Sequence, residues 1–470
     1  MSIRETSEEC SISPLEIFDT APTQTAVEQS YDVEFLPTSA LRDGGVIEFY
    51  VPASSEDYID LRNSRLYIKA KIVTNSTGED VDNLANVAPI NNLLQSMWSN
   101  IELIINEHLV AHSNNVHGYV ATISHLLHDS EEYMNSEGRL HLLYKDTAGK
   151  LGSTNALEPN TENSIPGYSI QVKDETSAAG TARRVASLVT GARIGNYGLH
   201  QRFLATHSSR SFEMLGGLRI DMFEQIRYLP SGIAMKLRLH PQQRAFCLMA
   251  PSTSNDYKLQ VLQATLIVRK VKVSPGVIVG HDEALQEKPA EYPVVHKECK
   301  SFAIASGLLQ FKQDNIFLGQ LPTRVVLAMV TARAFNGSFE HNPFNFELFG
   351  AKLVQVYADG KPVRSRPFQL TDSSYAESYN SLFRGMGRLD GDRGSVIKLE
   401  DWSRGYSLFA FNLAPDGNCD DHGSLIQHGN LRVEVQFSEA LAQAVQLLVY
   451  AEFDSMVKID RDRQVFVDYV

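Results

Sequence analysis

Two segments of this chain carry the same arrangement of side chains, one midway along the sequence and one at its end. In the later segment, NLRVEVQFSEALAQAVQLLVYAEFD (430–454), apolar and polar residues alternate, pause and alternate again. In the earlier one, IAMKLRLH (233–240) and KLQVLQATLIV (258–268) follow the same period of two. Such alternation is typical of half-buried strands. We therefore predict that the chain makes one strand hairpin twice, and that its fold is duplicated.

The elements that precede each hairpin support this duplication. The first half is predicted to contain, in order, strands at 46–51, 64–73 and 99–112, a helix at 115–128 and a strand at 211–220. The second half is predicted to contain strands at 351–363, a helix at 371–385 and a strand at 405–413. Each half is thus a strand-rich unit with one helix in its middle connection.

The predicted elements indicate an all-β fold. Helices are few and do not alternate with strands, which excludes a βαβ array. Eight antiparallel strands in two packed sheets, joined by long connections between the sheets, describe a jelly roll, although strand count alone leaves other sandwiches open. We predict two consecutive eight-stranded jelly rolls, a double jelly roll, with short helices in the connections.

This fold divides the chain into four predicted parts. A polar segment, 1–29, is expected to be a flexible arm, and 30–273 to be the first jelly roll. The second jelly roll is expected at 296–470, after a proline-containing linker at 274–295. The first jelly roll also contains a long polar loop, 129–200. Loops of this length are usually functional or disordered, so we expect this one to contact a partner or to be exposed.

Composition narrows the possible partners and compartments. The net charge of −13 disfavours broad binding to nucleic-acid phosphates, which requires clustered Lys and Arg. Four scattered cysteines indicate free thiols in a reducing compartment, with no disulfide framework and no zinc site. No apolar run approaches the length of a transmembrane segment, and the first residues lack the apolar core of a signal peptide.

No motif for catalysis is apparent in the sequence. A phosphate-binding P-loop, a nucleophile elbow and a zinc-protease motif are all missing. Four histidines lie close together, at His112, His117, His125 and His128. His125 and His128 are three residues apart and could share a helix face, but no third converging ligand group accompanies them. We therefore expect no enzyme activity, no cofactor and no metal.

Two segments are candidates for contacts between subunits. TARRVASLVTGAR (181–193), within the long loop, combines Arg183, Arg184 and Arg193 with apolar neighbours; the alternative is an exposed loop. FNGSFEHNPFNFELFG (335–350) is rich in phenylalanine, and Phe335, Phe339 and Phe344 are its candidate contacts. Aromatic residues dominate interface energetics, but they fill cores equally well, so a role in the second core is the alternative.

Four long segments also resemble a known family. They are QATLIVRKVKVSP (263–275), DNIFLGQLPTRVV (314–326), AFNGSFEHNPFNFE (334–347) and LLVYAEFDSMVKIDRDRQVFVDY (447–469). From about residue 30 onward the chain resembles the double-jelly-roll major capsid protein of Polinton (Maverick) elements and adintoviruses. The resemblance implies a homotrimer of pseudo-hexagonal outline that tiles an icosahedral shell.

The same resemblance implies partners and a location. The partners are neighbouring capsid trimers and a single-jelly-roll penton protein, and the location is the virion capsid. Synthesis is expected in the cytoplasm of the host cell, with the nucleus as an alternative place of assembly.

Two other classes of function stay open at this point. A glycan-binding jelly roll would require exposed aromatic residues and a carboxylate or metal in a loop cleft. A double-jelly-roll amidase would require a buried pair of acids in a cleft, and Glu224, Glu377 and Asp416 are not visibly paired. Both classes are commonly secreted, which the predicted lack of a signal peptide disfavours.

Overall fold

The computed structural model describes most of the chain. The described ranges are 23–82, 85–157, 168–176, 182–190, 195–251, 256–370, 375–389, 394–415, 417 and 423–468. Every pair of strands within these ranges is antiparallel, and the strands form two sandwiches in succession along the chain.

The first sandwich consists of two four-stranded sheets. One sheet has the order β1 (Val27–Phe35), β12 (Tyr257–Val273), β3 (Asp57–Thr74) and β9 (Phe212–Gly216). The other has the order β2 (Ile47–Val51), β10 (Met235–Pro241), β5 (Trp98–Ile105) and β6 (His108–Ala111). Two small two-stranded sheets accompany them, β4 (Ala88–Pro89) with β11 (Leu248–Met249), and β7 (Tyr168–Thr176) with β8 (Ala182–Thr190).

The second sandwich repeats this arrangement. One sheet has the order β13 (Ala290–Ile304), β22 (Val445–Ile459), β16 (Arg324–Thr331) and β20 (Phe409–Asn412), with β23 (Val465–Val467) paired to β22. The other has the order β14 (Gln310–Gln313), β21 (His428–Phe437), β17 (Ala351–Ala358) and β18 (Lys361–Pro362). Two short strands extend that sheet, β15 (Leu318–Gln320) on β21 and β19 (Phe368–Gln369) on β17.

The order of strands identifies both sandwiches as jelly rolls. Numbered 1 to 8 along each half, the principal strands pair in the order 1-8-3-6 in one sheet and 2-7-4-5 in the other. In each half, only the fourth and fifth of these strands are consecutive neighbours in one sheet, and every other connection crosses from one sheet to the facing one. The predicted fold class, two consecutive eight-stranded jelly rolls, is confirmed.

The predicted hairpins are wrong, although the strands themselves are present. β10 and β12 lie in different sheets, and so do β21 and β22. The connection between the two strands crosses from one sheet of the sandwich to the other. Alternation of side chains reports which face of a strand is buried and carries no information about the strand's partner.

Short helices occupy the connections, as predicted. They are α1 (Leu93–Ser96), α2 (His117–His128), α3 (Glu131–Asn135), α4 (Tyr197–Thr206), α5 (Arg244–Cys247), α6 (Pro275–Glu287), α7 (Ala332–Phe335), α8 (Ala376–Gly385) and α9 (Leu399–Trp402). Helices α2 and α8 confirm the two helices predicted in the middle connections. Each follows the fifth strand of its jelly roll and precedes the sixth.

The structure differs from the predicted boundaries at two places. β1 begins at Val27, so three residues assigned to the arm belong to the first sheet, while residues 1–22 lie outside the described ranges. α6 fills most of the predicted linker, and β13 begins at Ala290 within it. The division into parts otherwise stays a prediction.

Most of the buried apolar residues form one core that continues through both jelly rolls, and Tyr58, Val271 and Val273 form a small separate cluster. In β3 the inward positions are Leu66, Ile68, Ala70 and Ile72, as alternation predicts. In β22, by contrast, every residue from Val445 to Phe453 is buried, because the first jelly roll covers the face of this strand that the sequence pattern assigns to solvent. The junction between the two jelly rolls is therefore the feature of the fold that single-strand patterns do not reveal.

Candidate functional site

A cleft with charged walls lies at the junction of the two jelly rolls. Its volume is about 490 Å³, and both halves of the chain line it. Helix α2 and the segment 217–224 contribute from the first jelly roll, and β13, β16 and β22 contribute from the second. The charged residues central to it are Arg65, Arg219 and Glu224 on one side and Lys297, Arg324 and Glu452 on the other.

Glu452 is the centre of the second jelly roll's side of the cleft. Strand register aligns Lys297, Glu452 and Arg324 in one row across β13, β22 and β16. Glu452 is only 2% exposed, and Arg324 Nη1 donates to its Oε2 at 2.6 Å. The Tyr450 hydroxyl donates to Oε1 at 2.7 Å, and Nε2 of His128, at the end of α2, lies 2.9 Å from the same atom. The carboxylate thus ties the two jelly rolls together.

A second group of charges continues the network toward the first jelly roll. Lys297 Nζ lies 2.5 Å from Glu224 Oε2 and 3.3 Å from the hydroxyl of Ser124 in α2. Arg219 Nη1 lies 3.6 Å from Glu224 Oε1, and its Nη2 donates to both carboxylate oxygens of Asp129 at 2.8 Å. Every acid of the network therefore has at least one cation in direct contact, the arrangement that buried charges require.

These contacts set the charge of Glu224 and Glu452, two of the acids that line the cleft. Burial by itself would raise the pKa of Glu452, but His128, Arg324 and Lys297 outweigh burial and hold that pKa far below its usual range. Burial by itself would also raise the pKa of Glu224, but Lys297 and Arg219 outweigh burial and lower that pKa. Both carboxyl groups are therefore ionised at neutral pH.

The ionised state of both acids bears on the amidase alternative. Four acids line the cleft, and two of them, Glu224 and Glu452, belong to the ion network, which the sequence did not show. Acid–base hydrolysis by two carboxyls needs one of them to keep its proton near neutral pH. Here both pKa values are lowered, so neither group is suited to donate a proton. Of the other acids considered, Glu377 pairs with Arg364 on the surface, and Asp416 lies outside the described residues.

The predicted histidine cluster divides among different environments. His112 is exposed, and His128 binds Glu452. His117 lies between Ser113 and Gln95, and burial lowers its pKa to about 3. His125 contacts Asp129 at the other end of the helix. Across the described ranges, no group of three or more His, Cys, Asp or Glu side chains is arranged to hold a metal ion.

The candidate phenylalanines lie between the two jelly rolls of the same chain. Phe335 stacks on Tyr119 of α2 with ring centroids 5.6 Å apart, and Phe344 meets the edge of the same ring at 5.7 Å. Phe344 and Phe339 are 4% and 8% exposed, so little of either ring is available to another subunit. The structure thus favours the alternative of a core role for these two residues. A contact of these phenylalanines with a second subunit stays a prediction.

Two of the candidate arginines, Arg183 and Arg184, lie in the ribbon formed by β7 and β8. Register places Arg183 opposite Glu175 and Arg184 opposite Asp174. Arg193 lies outside the described residues. The ribbon forms a sheet of its own, so the segment predicted as a loop contains regular structure. A contact between subunits at this ribbon stays a prediction.

The ion network is the part of the site that sequence analysis missed. Glu452 directly follows the apolar run LLVYA (447–451), and an acid in a buried strand is a signal that it has a buried partner. Its partners could not be named from the sequence, because His128 is 324 positions away and Arg324 is 128 positions away. Their meeting depends on how the two jelly rolls pack.

None of the helices in the described part of the chain is both long and apolar enough to cross a lipid bilayer.

No family model matches the sequence. An uncharacterised protein of Caenorhabditis elegans is 24% identical over 463 residues, which covers 95% of this chain and 99% of that protein.

Solved structures share the fold over nearly the whole chain. A chain of the Sputnik virophage aligns with a TM-score of 0.62 and 12% identity, covering 100% of this chain and 94% of that one. The Faustovirus major capsid protein aligns with a TM-score of 0.56 and 8% identity, covering 94% and 92%. A chain of the PBCV-1 virus capsid aligns with a TM-score of 0.52 and 8% identity, covering 96% and 99%. The chain therefore has the double-jelly-roll fold found in these viral proteins.

Proposed function

We propose that this protein is a major capsid protein that assembles as a homotrimer. The observation that carries the proposal is the pair of jelly rolls with identical strand order in one chain. It is supported by the shared fold of the Faustovirus major capsid protein, which the chain matches over nine-tenths of both lengths. Fold alone does not fix function, so the charges at the junction and the oligomeric state of the protein also bear on this role.

The two jelly rolls suit a closed ring of three chains. A threefold ring uses head-to-tail contacts, in which each subunit offers two different surfaces. Three chains would supply six jelly rolls and hence a pseudo-hexagonal outline that tiles an icosahedral shell. Neighbouring trimers and a single-jelly-roll penton protein are the partners that the resemblance to Polinton and adintovirus capsid proteins implies. The location would be the virion, after synthesis in the host cytoplasm.

The chemistry of the junction supports a structural role. Its acids are neutralised by Arg324, Lys297 and Arg219, and both cleft carboxyls are ionised, as expected for a network that holds two domains in register. The net charge of −13 fits a shell subunit that makes few contacts with the genome. Arg183, Arg184 and Arg193 remain proposed contacts between subunits, at the β7–β8 ribbon.

The test is the mass and shape of the full-length protein in solution. Light scattering on a sizing column should give about 157 kDa, three times the 52.3 kDa of one chain. Negative-stain images of the same peak should show a hexagonal outline. A stable 52.3 kDa monomer at every concentration and salt would contradict the proposal and revive the glycan-binding and amidase alternatives.

A further inference from the structure

Inside one chain, the contact between the two jelly rolls has a simple form. Helix α2 of the first jelly roll lies on the outer face of the β13–β22–β16 sheet of the second. Ser124 and His128, four residues apart on the helix, meet Lys297 and Glu452 on the sheet, at 3.3 and 2.9 Å. As a result, every residue of α2 from His117 to Leu127 is buried.

Helix α8 occupies the same place in the chain order of the second jelly roll, yet one of its faces is exposed. Ser378, Ser381 and Leu382 are buried against the second jelly roll. Glu377, Asn380 and Arg384 are exposed and follow the spacing i, i+3, i+7, which aligns them along one side of the helix. Within the described ranges, no jelly roll lies on this side of α8 as the second jelly roll lies on α2.

The sheet face equivalent to the one that receives α2 is also accessible. In the first jelly roll the corresponding strands are β1, β12 and β3, and register aligns Glu34, Ile267 and Arg65 in one row across them. Because Leu66 is in the core, the side chains of this row point outward. Glu34 and Asp32 on β1 are exposed, and Ile267 is half-buried. The row thus offers an acidic edge on β1 beside an apolar centre, while its third member, Arg65, is a cation that lines the cleft at the junction of the two jelly rolls.

We propose that the exposed face of α8 binds the outer face of β1–β12–β3 in a second copy of this chain. The contact between two jelly rolls inside one chain would then be repeated between chains. The charges are complementary at the β1 edge, since Arg384 on α8 would approach Glu34 of the other copy and, beside it, Asp32, which pairs with Arg269 of its own chain at 3.1 Å. This inference rests on the proposed homotrimer and names the two surfaces that would close its ring.

Site-specific cross-linking tests the contact directly. A photoreactive phenylalanine derivative at Asn380 of the full-length protein should, on irradiation, give a covalent dimer of twice 52.3 kDa on a denaturing gel. Peptide mapping of a mixture of isotopically labelled and unlabelled protein should place the cross-link in β1, β12 or β3 of the other copy. The same probe at Arg461, in the exposed turn after β22, is the control and should not reach these strands.

Charge reversal supplies an independent measurement. Arg384→Glu would place an acid against Glu34 and Asp32, and should raise the protein concentration needed for half-assembly about tenfold or more. Glu34→Arg combined with Arg384→Glu should recover most of that loss. Arg461→Glu changes the net charge equally and should assemble as the unaltered protein does. Circular dichroism checks that each variant is folded.

The outcomes separate this inference from the proposed function. A trimer whose Asn380 cross-links map elsewhere, or do not form, would overturn the α8 contact and leave the capsid proposal standing. A trimer unaffected by Arg384→Glu and not improved by the double substitution would have the same meaning. A monomer at all concentrations would overturn both proposals.

Discussion

Helices α2 and α8 hold the same position in the two jelly rolls, and their surroundings differ. The sequence of α2, HGYVATISHLLH, is apolar or small around most of its circumference, and the helix is buried between the two jelly rolls. The sequence of α8, AESYNSLFRG, separates its buried side from a charged side that remains exposed. A helix that is hydrophobic all round is expected to be buried, and an amphipathic one to keep a solvent face. Duplication thus created two equivalent places for a neighbouring jelly roll, and one chain fills only one of them.

The largest effect is expected when the charge network between α2 and the second jelly roll is broken. Glu452→Gln would remove the carboxylate charge that Arg324 Nη1 contacts at 2.6 Å, and Arg324 is itself only 3% exposed. Removing one partner of a buried ion pair typically costs about 3–5 kcal/mol of the free energy of unfolding. Urea unfolding followed by fluorescence measures the change. A loss below about 1 kcal/mol would mean that the pair is solvated and that the junction is looser than the structure indicates.

A smaller effect is expected when alanine replaces a glycine in each helix, a pair of substitutions that compares how tightly α2 and α8 pack on their own jelly rolls. A Cβ at Gly385 of α8 would lie 2.8 Å from the Cβ of Ala410, so Gly385→Ala should destabilise the fold by about 1–3 kcal/mol. A Cβ at Gly118 of α2 would lie 3.4 Å from its nearest neighbours, an ordinary contact, and helix propensity favours alanine there. Gly118→Ala should therefore be neutral or slightly stabilising. Equal losses in the two thermal melts would show that the two helices pack alike.

Acidification should weaken the α2 side selectively, because burial lowers the pKa of His117 and His125 on this helix. Burial lowers the pKa of His117 to about 3 in the folded chain, so the unfolded chain binds more protons between pH 6.5 and 3. Stability should fall as pH decreases through that window, by up to about 1.4 kcal/mol per pH unit for one such histidine. The melting temperature measured against pH checks this. His117→Gln cannot titrate and should give a shallower slope; an unchanged slope would assign the effect to other groups.

The smallest effect is expected on the exposed side of α8. Glu377 pairs with Arg364 at a largely exposed position, and exposed pairs contribute about 0–1 kcal/mol. Glu377→Gln should therefore leave the urea midpoint nearly unchanged, which also makes it the matched control for Glu452→Gln. A loss comparable to that of the buried pair at a concentration where the protein is monomeric would contradict this expectation, whereas a loss seen only in the assembled protein would mean that the second copy covers Glu377.

Much of the fold was predictable from local patterns. The inward positions of β3 follow from alternation, and helices α2 and α8 follow from apolar residues at helical spacing, because these periods report the face that is buried. The duplication of the strand pattern indicated two similar β units, whereas strand count alone left other sandwiches open beside the jelly roll. The candidate site was not predictable, since Lys297, Glu452 and His128 meet only after both jelly rolls have formed.

The sequence by itself determined most of the principal strands, the two helices in the middle connections and that the set occurs twice. It did so because side-chain burial on one face imposes a period that neighbouring residues must share. Only the tertiary structure decided that β10 and β12, like β21 and β22, lie in facing sheets, and that both faces of β22 are buried. The physical reason is range: strand pairing and the packing of one jelly roll on the other depend on contacts between residues hundreds of positions apart, which no local period encodes.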